Sequence, residues 1–256
     1  MPRISATIVA HNEGHRIGRA ISSLACADEI VLVDDGSTDN TREIAAALGA
    51  RVVVNQPWPG PAAQKNLAAQ LARHDWILSL DADEELDREA QQAVLQWKSS
   101  EPRAAGYRFR RRAFFLGRWI RHSGWYPDYK LRLYDRRRGE FQPAPVHDSV
   151  RVAGRVETLP GHILHFPVET LEEYRQQLDR YVERIGDHLA QQGKRPGLGL
   201  RYLAPAWRWM HVYLVHAGFL DGRAGWIIAR EEARYVYRKY RRALELLTQR
   251  SAGCAL

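Results

Sequence analysis

The densest chemistry in the chain is the stretch Trp76-Ile77-Leu78-Ser79-Leu80-Asp81-Ala82-Asp83-Glu84-Glu85, an apolar run ending in four carboxylates. Large and β-branched residues without polar periodicity read as a buried strand of a mostly parallel sheet. The acids then sit at its C-terminal edge, where open α/β sheets bind ligands. Crowded carboxylates repel one another unless a cation or a proton intervenes. Asp81 and Asp83, two residues apart, can reach one hard divalent ion while leaving positions for water and phosphate oxygens. The same acids also suit a helix start, with Asp83 as N-cap and Glu84, Glu85 and Asp87 favoured by the dipole. This stretch alone does not separate the two readings.

Carboxylates recur at equivalent places. Glu13 follows an apolar segment at 4–10, and Asp34 and Asp35 follow another at 30–33. Acids at strand ends can accept hydrogen bonds from a base N–H and from ribose hydroxyls, and the Asp81/Asp83 pair can hold a metal on a diphosphate. The turn after the first segment, Ala10-His11-Asn12-Glu13-Gly14, is neither a Gly-x-Gly-x-x-Gly turn nor a Gly-x-x-x-x-Gly-Lys-Ser/Thr loop. Dinucleotide and P-loop readings lose their basis.

These residues need elements to position them. Residues 4–10, 30–33, 51–54 and 76–80 read as strands, alternating with helical spacing over 13–24, 41–48 and 62–71. Strand–helix alternation predicts right-handed parallel crossovers in one sheet covered by helices. Beyond Gln96, segments 106–115 and 129–134 read as strands of an arginine-rich insertion around a Gly- and Trp-containing loop at 117–128, so this half of the sheet should be mixed or antiparallel. From Thr170, Leu171, Tyr174, Leu178, Tyr181, Ile185 and Leu189 mark one helix face, closed by Gly193. Residues 198–228 are aromatic and apolar but interrupted by Arg201, Arg208, His211, His216, Asp221 and Arg223, with no eighteen-residue apolar span. They suit an amphipathic helix at a lipid interface, or a helical hairpin packed on the first domain or a second subunit. A last helix over 225–247 is expected to bury Trp226, Ala233, Val236, Tyr240, Leu244 and Leu247 and to expose a cationic face. The expected organisation is a domain at 1–168 and a helical region at 169–256.

With 256 residues the chain can bury a substantial core. Its two cysteines, Cys26 and Cys254, suggest neither a disulfide framework nor a zinc cluster. The N-terminal segment lacks the long apolar core of a signal peptide, so a cytoplasmic location is expected. Of the net charge of +8, the segment 103–151 carries more than its share, thirteen Lys or Arg against four acids. Such a patch suits nucleic acid, an anionic membrane surface or a phosphorylated substrate. A nucleic-acid role would leave the carboxylate-lined strand ends idle, so none is expected.

Four motifs in order, Thr7-Ile8-Val9-Ala10-His11-Asn12-Glu13, Val31-Leu32-Val33-Asp34-Asp35-Gly36-Ser37-Thr38-Asp39, Gly60-Pro61-Ala62-Ala63-Gln64-Lys65-Asn66 and Asp81-Ala82-Asp83, resemble the signature of family 2 glycosyltransferases with the GT-A fold. The continuation, Phe115-Leu116-Gly117 through Gly124-Trp125-Tyr126-Pro127-Asp128 and Val146-His147-Asp148, is similar to bacterial lipopolysaccharide core glucosyltransferases that modify an inner-core heptose. The likeness covers about residues 4–170.

The resemblance implies a UDP-sugar donor, an anionic glycolipid acceptor at the inner face of the cytoplasmic membrane, and roles residue by residue. Ala10, Asn12 and Glu13 would line the nucleotide, Asp34 would meet uracil or ribose with Asp35 beside it, and Lys65 would approach the base or diphosphate, unless it is a solvated helix residue. Asp83, with Asp81 on the ribose or the ion and Ala82 at the nucleotide, would hold Mg²⁺ or Mn²⁺ on the departing UDP, and His147 would complete the metal shell or bind the diphosphate. An inverting transfer needs a general base. Asp128 comes first, although Pro127 replaces the acid the family usually carries before it, and Asp148 is its rival. Trp125 and Tyr126 would stack on a sugar or pack in the core, and Arg112 and Arg118 would draw an acceptor phosphate. A nucleotidyltransferase, or a binding module that kept the fold, would use the same acidic edge.

Overall fold

The computed structural model describes residues 1–143, 148–193 and 195–253. His147 and Cys254 lie outside the described residues. The chain divides into two compact units, one of residues 1–112 and 128–166, the other of 113–127 and 167–256. The loop at 113–127 thus clusters with the helices, whereas the expected boundary at 168 grouped it with the sheet.

In the first unit, strands β1 (Ile4–Ala10), β2 (Glu29–Asp34), β3 (Arg51–Val54) and β4 (Trp76–Asp81) alternate with helices α1 (Ile17–Ser22), α2 (Thr41–Ala47) and α3 (Pro61–Leu71). They pair in parallel in the order β3-β2-β1-β4, as the buried apolar runs require. The sheet then turns antiparallel. β8 (Asp128–Asp135) pairs with β4, β6 (Gly106–Phe115) with β8, and β11 (Val156–His165) with β5 (Glu84–Leu86) at the far edge. β7 (Arg118–Trp119) pairs with the end of β6 inside the second unit, and β9 (Gly139–Gln142) with β10 (Ser149–Val152) as a separate ribbon.

A core of Ile4, Ile8, Leu32, Leu78, Phe109 and Leu133 lies within the sheet unit, with the rings of Trp76, Trp97 and Tyr107 in mutual contact at centroid distances of 4.7–6.0 Å. Helix α4 (Arg88–Lys98) starts at Asp87, whose side chain accepts from the Ala90 N–H at 2.8 Å. This corrects the expected helix start, because Asp83 lies in the turn after β4 and Glu84 and Glu85 belong to strand β5. β11 crosses the start of α4 so closely that a Cβ on Gly161, at φ +85°, would fall 2.2 Å from the Ala90 nitrogen.

The second unit contains α5 (Leu171–Gln191), N-capped by Thr170 through the Glu173 N–H, then a nearly continuous helical rod. The rod runs from a π-helical turn (Gly199–Leu203) through α6 (Ala204–Met210) and a second π-helical turn (His211–Val215), and a 3₁₀ turn (Gly218–Asp221) leads into α7 (Gly222–Gly253). The last helix buries Ala224, Ile227, Ile228, Val236 and Ala243. Trp226, expected inside, is 45% exposed. No helix among the described residues is long and apolar enough to cross a membrane.

Candidate functional site

Strand register gathers the sequence-identified acids of the parallel half. Ala10 lies opposite Asp34 and Val9 opposite Asp81, so three neighbouring strands end at one edge. Asp34 is fully buried and accepts from the Ser37 N–H at 2.8 Å and from the Ser37 hydroxyl. The two loops above the edge are tied together. Asn12 adopts a left-handed backbone at φ 55°, which Asn tolerates. Its Oδ1 accepts from the Thr38 N–H at 2.8 Å, while its own N–H donates to the Ser37 Oγ at 2.9 Å. Asp35 is half-buried, its N–H donating to the Ala10 carbonyl at 3.0 Å.

Glu13 donates its N–H to Thr41 Oγ1 at 2.8 Å, but its carboxylate oxygen Oε2 is buried without a hydrogen-bond partner. Burial, reinforced by the charges of Asp83 and Asp39 and opposed by Arg16 and His11, pushes its pKa up to about 7. An orphaned oxygen beside another acid is a place a cation would relieve.

From Asp81 outward the side chains form an alternating ladder of charge. Lys65 lies 2.6 Å from Asp81 and 3.1 Å from Asp148. Arg132 lies 2.6 Å from the other Asp81 oxygen and 2.7 Å from Glu84. Arg111 joins Glu84 at 3.0 Å to Asp128 at 2.7 Å, and Lys130 completes the row 3.2 Å from Asp128. Four anions thus interleave with four cations, which makes burial of the set tolerable. Burial works against the charge of Asp81, yet Arg132 and Lys65 outweigh it and hold its carboxyl well below the usual range. Burial likewise opposes the charge of Lys65, but Asp81 and Asp148 prevail over Arg132 and raise its pKa. At Asp128 burial again pushes upward, and Arg111 and Lys130 reverse it.

The antiparallel pairing of β8 with β4 builds this ladder, by laying the start of one strand beside the end of the other. The β6–β8 register passes from Tyr107 opposite Leu133 to Arg108 opposite Leu131, so Arg132 is the extra residue of a β-bulge. Bulges re-aim a side chain, and here the guanidinium is buried between Asp81 and Glu84. Sequence reasoning missed Glu84, Arg111 and Arg132 in these roles. An acid and arginines of unequal exposure cannot be paired from local spacing.

Asp83 stands apart from the ladder. Its carboxylate lies 3.2 Å from His165 Nε2, brought there because β5 and β11 pair with Glu84 opposite His165. A carboxylate and an imidazole at this separation are a donor pair suited to Mn²⁺ and related divalent ions. The pair offers two donors to a divalent ion, and the Glu13 carboxylate, which feels the charge of Asp83, adds to the negative field there without completing a three-ligand set among the described residues. Asp81, whose two oxygens are held by Lys65 and Arg132, fits less well as a ligand. Among the described residues, three possible ligand atoms come within mutual reach of one ion at Asp87, Glu89 and His162, at the start of α4. There Asp87 already caps the helix, and an Arg112 nitrogen lies 3.4 Å from His162.

Of the residues expected at the acceptor, Arg112 belongs to the sheet unit and Arg118, Trp125 and Tyr126 to the helical unit. Arg112 faces His162 within the sheet unit. Trp125 packs against Phe115 and Tyr174 in the core of the helical unit, with centroids 5.5 and 6.0 Å away, which favours packing over sugar stacking. Tyr126 is half-buried and Arg118 exposed in the same unit. Ala82 is buried in the turn between Asp81 and Asp83.

Comparison with known proteins agrees with this geometry. Residues 5–155 match Glycosyl transferase family 2. An uncharacterized glycosyltransferase of Rickettsia bellii (strain RML369-C) is 31% identical over 237 residues, covering 88% of this chain and 80% of the relative. The lipopolysaccharide core biosynthesis glycosyltransferase LpsC of Rhizobium meliloti (strain 1021) is 28% identical over 241 residues, covering 91% and 89%. Among solved structures, S. aureus TarS 1-349 aligns over 98% of this chain and 92% of its own at 16% identity, with a TM-score of 0.49. The mixed α/β sheet with its acidic strand ends and helical C-terminal region is the GT-A arrangement expected, and the chain is a glycosyltransferase that belongs to glycosyl transferase family 2.

Proposed function

We propose that this glycosyltransferase moves a hexose, with glucose the first candidate, from a UDP-sugar to a lipopolysaccharide core heptose or similar anionic glycolipid at the inner face of the cytoplasmic membrane, with inversion at the sugar carbon. The observation that carries the reading is the convergence of Ala10, Asp34 and Asp81 on one sheet edge, beside the Asp83–His165 pair. The lipopolysaccharide class of acceptor is supported by the name of the LpsC relative.

In this reading Asp34 and the loop tied by Asn12 receive uracil and ribose, and Lys65 meets the diphosphate from its seat on Asp81. Asp83 and His165 hold Mg²⁺ or Mn²⁺, which neutralises charge on the departing UDP. Asp81 orients Lys65 and Arg132. Asp128 takes the acceptor hydroxyl proton as the sugar carbon is attacked, and Asp148, bound to the same lysine as Asp81, is the second candidate.

Calorimetry with UDP, with and without Mn²⁺, tests the donor side. Metal-linked UDP affinity that disappears in Asp83→Ala and weakens in His165→Ala is expected, and UDP affinity indifferent to metal in the wild type would refute the metal assignment. For the base, Asp128→Asn and Asp148→Asn are compared for UDP release with acceptor present, and whichever retains its rate is not the base.

A further inference from the structure

The helical rod of the second unit carries its apolar residues on the wrong face for a soluble protein. Leu203, Trp207, Met210 and Leu214 follow one another at spacings of four, three and four residues, which places them along one side of a helix. They are 71%, 58%, 37% and 51% exposed. Leu200 continues the stripe at one end, and Val215, Phe219 and Leu220 extend the exposed apolar surface at the other. The opposite side of the rod faces α7, where Arg208 lies within hydrogen-bond distance of Glu232 at 2.6 Å and Val212 is buried. Phe219 and Trp226, both exposed, join Trp209 and Tyr213 in one aromatic cluster with centroid distances of 5.0–6.3 Å.

The charges beside this surface are of one sign. No Asp or Glu occurs between Asp187 and Asp221. Asp221 itself is buried, accepting from the Arg121 and His122 N–H groups and the Ser123 hydroxyl at 3.1, 3.0 and 2.9 Å. Elsewhere in the unit Arg175, Arg208, Arg230, Arg238, Arg241 and Arg242 each pair with a carboxylate. Arg118, Arg121, Arg201 and Arg223, next to the apolar surface in space or sequence, have no carboxylate within ion-pair distance among the described residues. Among the described residues Arg180 and Arg184 on α5 also lack a carboxylate within ion-pair distance, so it is the coincidence with an apolar stripe that marks the first four. Arg118, Arg121, His122 and Trp119 line a cavity of about 640 Å³ whose wall includes Leu220. Free guanidinium groups and exposed hydrophobic residues therefore meet.

We propose that residues 198–226 seat the protein in the plane of an anionic lipid surface. Leu200, Leu203, Trp207, Met210, Leu214, Phe219 and Leu220 enter the acyl boundary, and Arg118, Arg121, Arg201 and Arg223 lie on lipid phosphates. An in-plane helix of this kind gains from apolar burial and from attraction to anionic headgroups. The proposal concerns lipid contact alone and stands whether or not the donor sugar is the one proposed above.

Flotation of the full chain with vesicles tests it without donor or acceptor. Wild type is expected to float with phosphatidylglycerol-containing vesicles and to bind phosphatidylcholine vesicles at least about fivefold more weakly. Leu203→Glu with Trp207→Glu should lower partition onto both by about tenfold or more, with an unchanged melting temperature because both side chains are exposed. Arg118→Ala with Arg121→Ala should remove most of the preference for the anionic lipid. As a check that needs no variant, brominated phosphatidylglycerol should quench wild-type tryptophan emission. Wild type that stays unbound with both vesicles, or that shows no quenching, overturns the proposal. So does a Leu203/Trp207 variant that binds vesicles normally but changes from dimer to monomer in ultracentrifugation, since the surface would then belong to a second copy.

Discussion

Arg132 and Glu84 form a buried ion pair at 2.7 Å that neither residue's sequence neighbourhood announces. Glu84 is held between Arg132 and Arg111. Removing one charge from a buried set leaves its partners uncompensated. Glu84→Gln should therefore cost about 3 kcal/mol of stability, measured by urea unfolding with an unchanged m-value. It should also lower activity, because Arg132 then bears on Asp81 alone. A loss under about 1 kcal/mol would mean that the ladder is solvated and contributes little.

Asp128 provides a pH test. Its carboxyl is pushed upward by burial but held below the usual range by Arg111 and Lys130. For a carboxyl with a lowered pKa, the ionised form, which is the form a base needs, persists until the pH falls through that low value. Wild-type kcat/KM should show no acid limb from this group above the ordinary carboxylate range. Arg111→Met leaves burial and removes the nearer cation, so the acid limb should move to higher pH than in wild type, falling toward about tenfold per pH unit below it. Lys130→Met should move it the same way by less. A loss equal at every pH would show that Arg111 acts on structure and not on this proton.

Much of the parallel half was legible in the sequence because its central strands are largely buried and read as apolar runs, such as Ile30 to Val33 ending at Asp34. Helix α5 was legible from Thr170, its cap, and Gly193 beyond its end. What escaped were features made by long-range antiparallel pairing. Glu84 looked like part of a helix start because nothing local reveals that β5 pairs with β11, about eighty residues away. The same pairing hid His165, whose only local signal is a histidine at a strand end. Arg132 was one arginine among many until the bulge in β8 singled it out. Trp226 was expected inside by helical spacing, and the structure turns Ala224, Ile227 and Ile228 inward instead.

Glu13 makes a stability prediction of opposite sign. Its pKa is raised from 4.5 to about 7, chiefly by burial. Through that interval the unfolded chain has lost the proton while the folded chain keeps it, so stability falls as pH rises from about 4.5 to about 7. Glu13→Gln has no such proton. Melting temperatures taken with chelator present should show the variant gaining on wild type across that window and then running parallel above it. Added Mn²⁺ should narrow the gap at high pH by offsetting the charge of Glu13 and Asp83. A difference independent of pH would show that the Glu13 carboxylate is solvated in the folded protein.

Asp221 sets the loop before Trp125. One carboxylate receives the Arg121 and His122 N–H groups and the Ser123 hydroxyl, across about a hundred residues of sequence. In Asp221→Asn one acceptor oxygen becomes an NH₂ group that cannot accept from these donors. The charge that strengthens the remaining bonds is lost as well. A cost of about 2–3 kcal/mol is expected, concentrated in the helical unit. Hydrogen exchange resolves where it falls. The amides of Arg121 and His122 should lose protection while those of β1 and β4 keep theirs. Uniform loss across both units would instead mean that the substitution destabilises the whole chain and that Asp221 has no local hold on this loop.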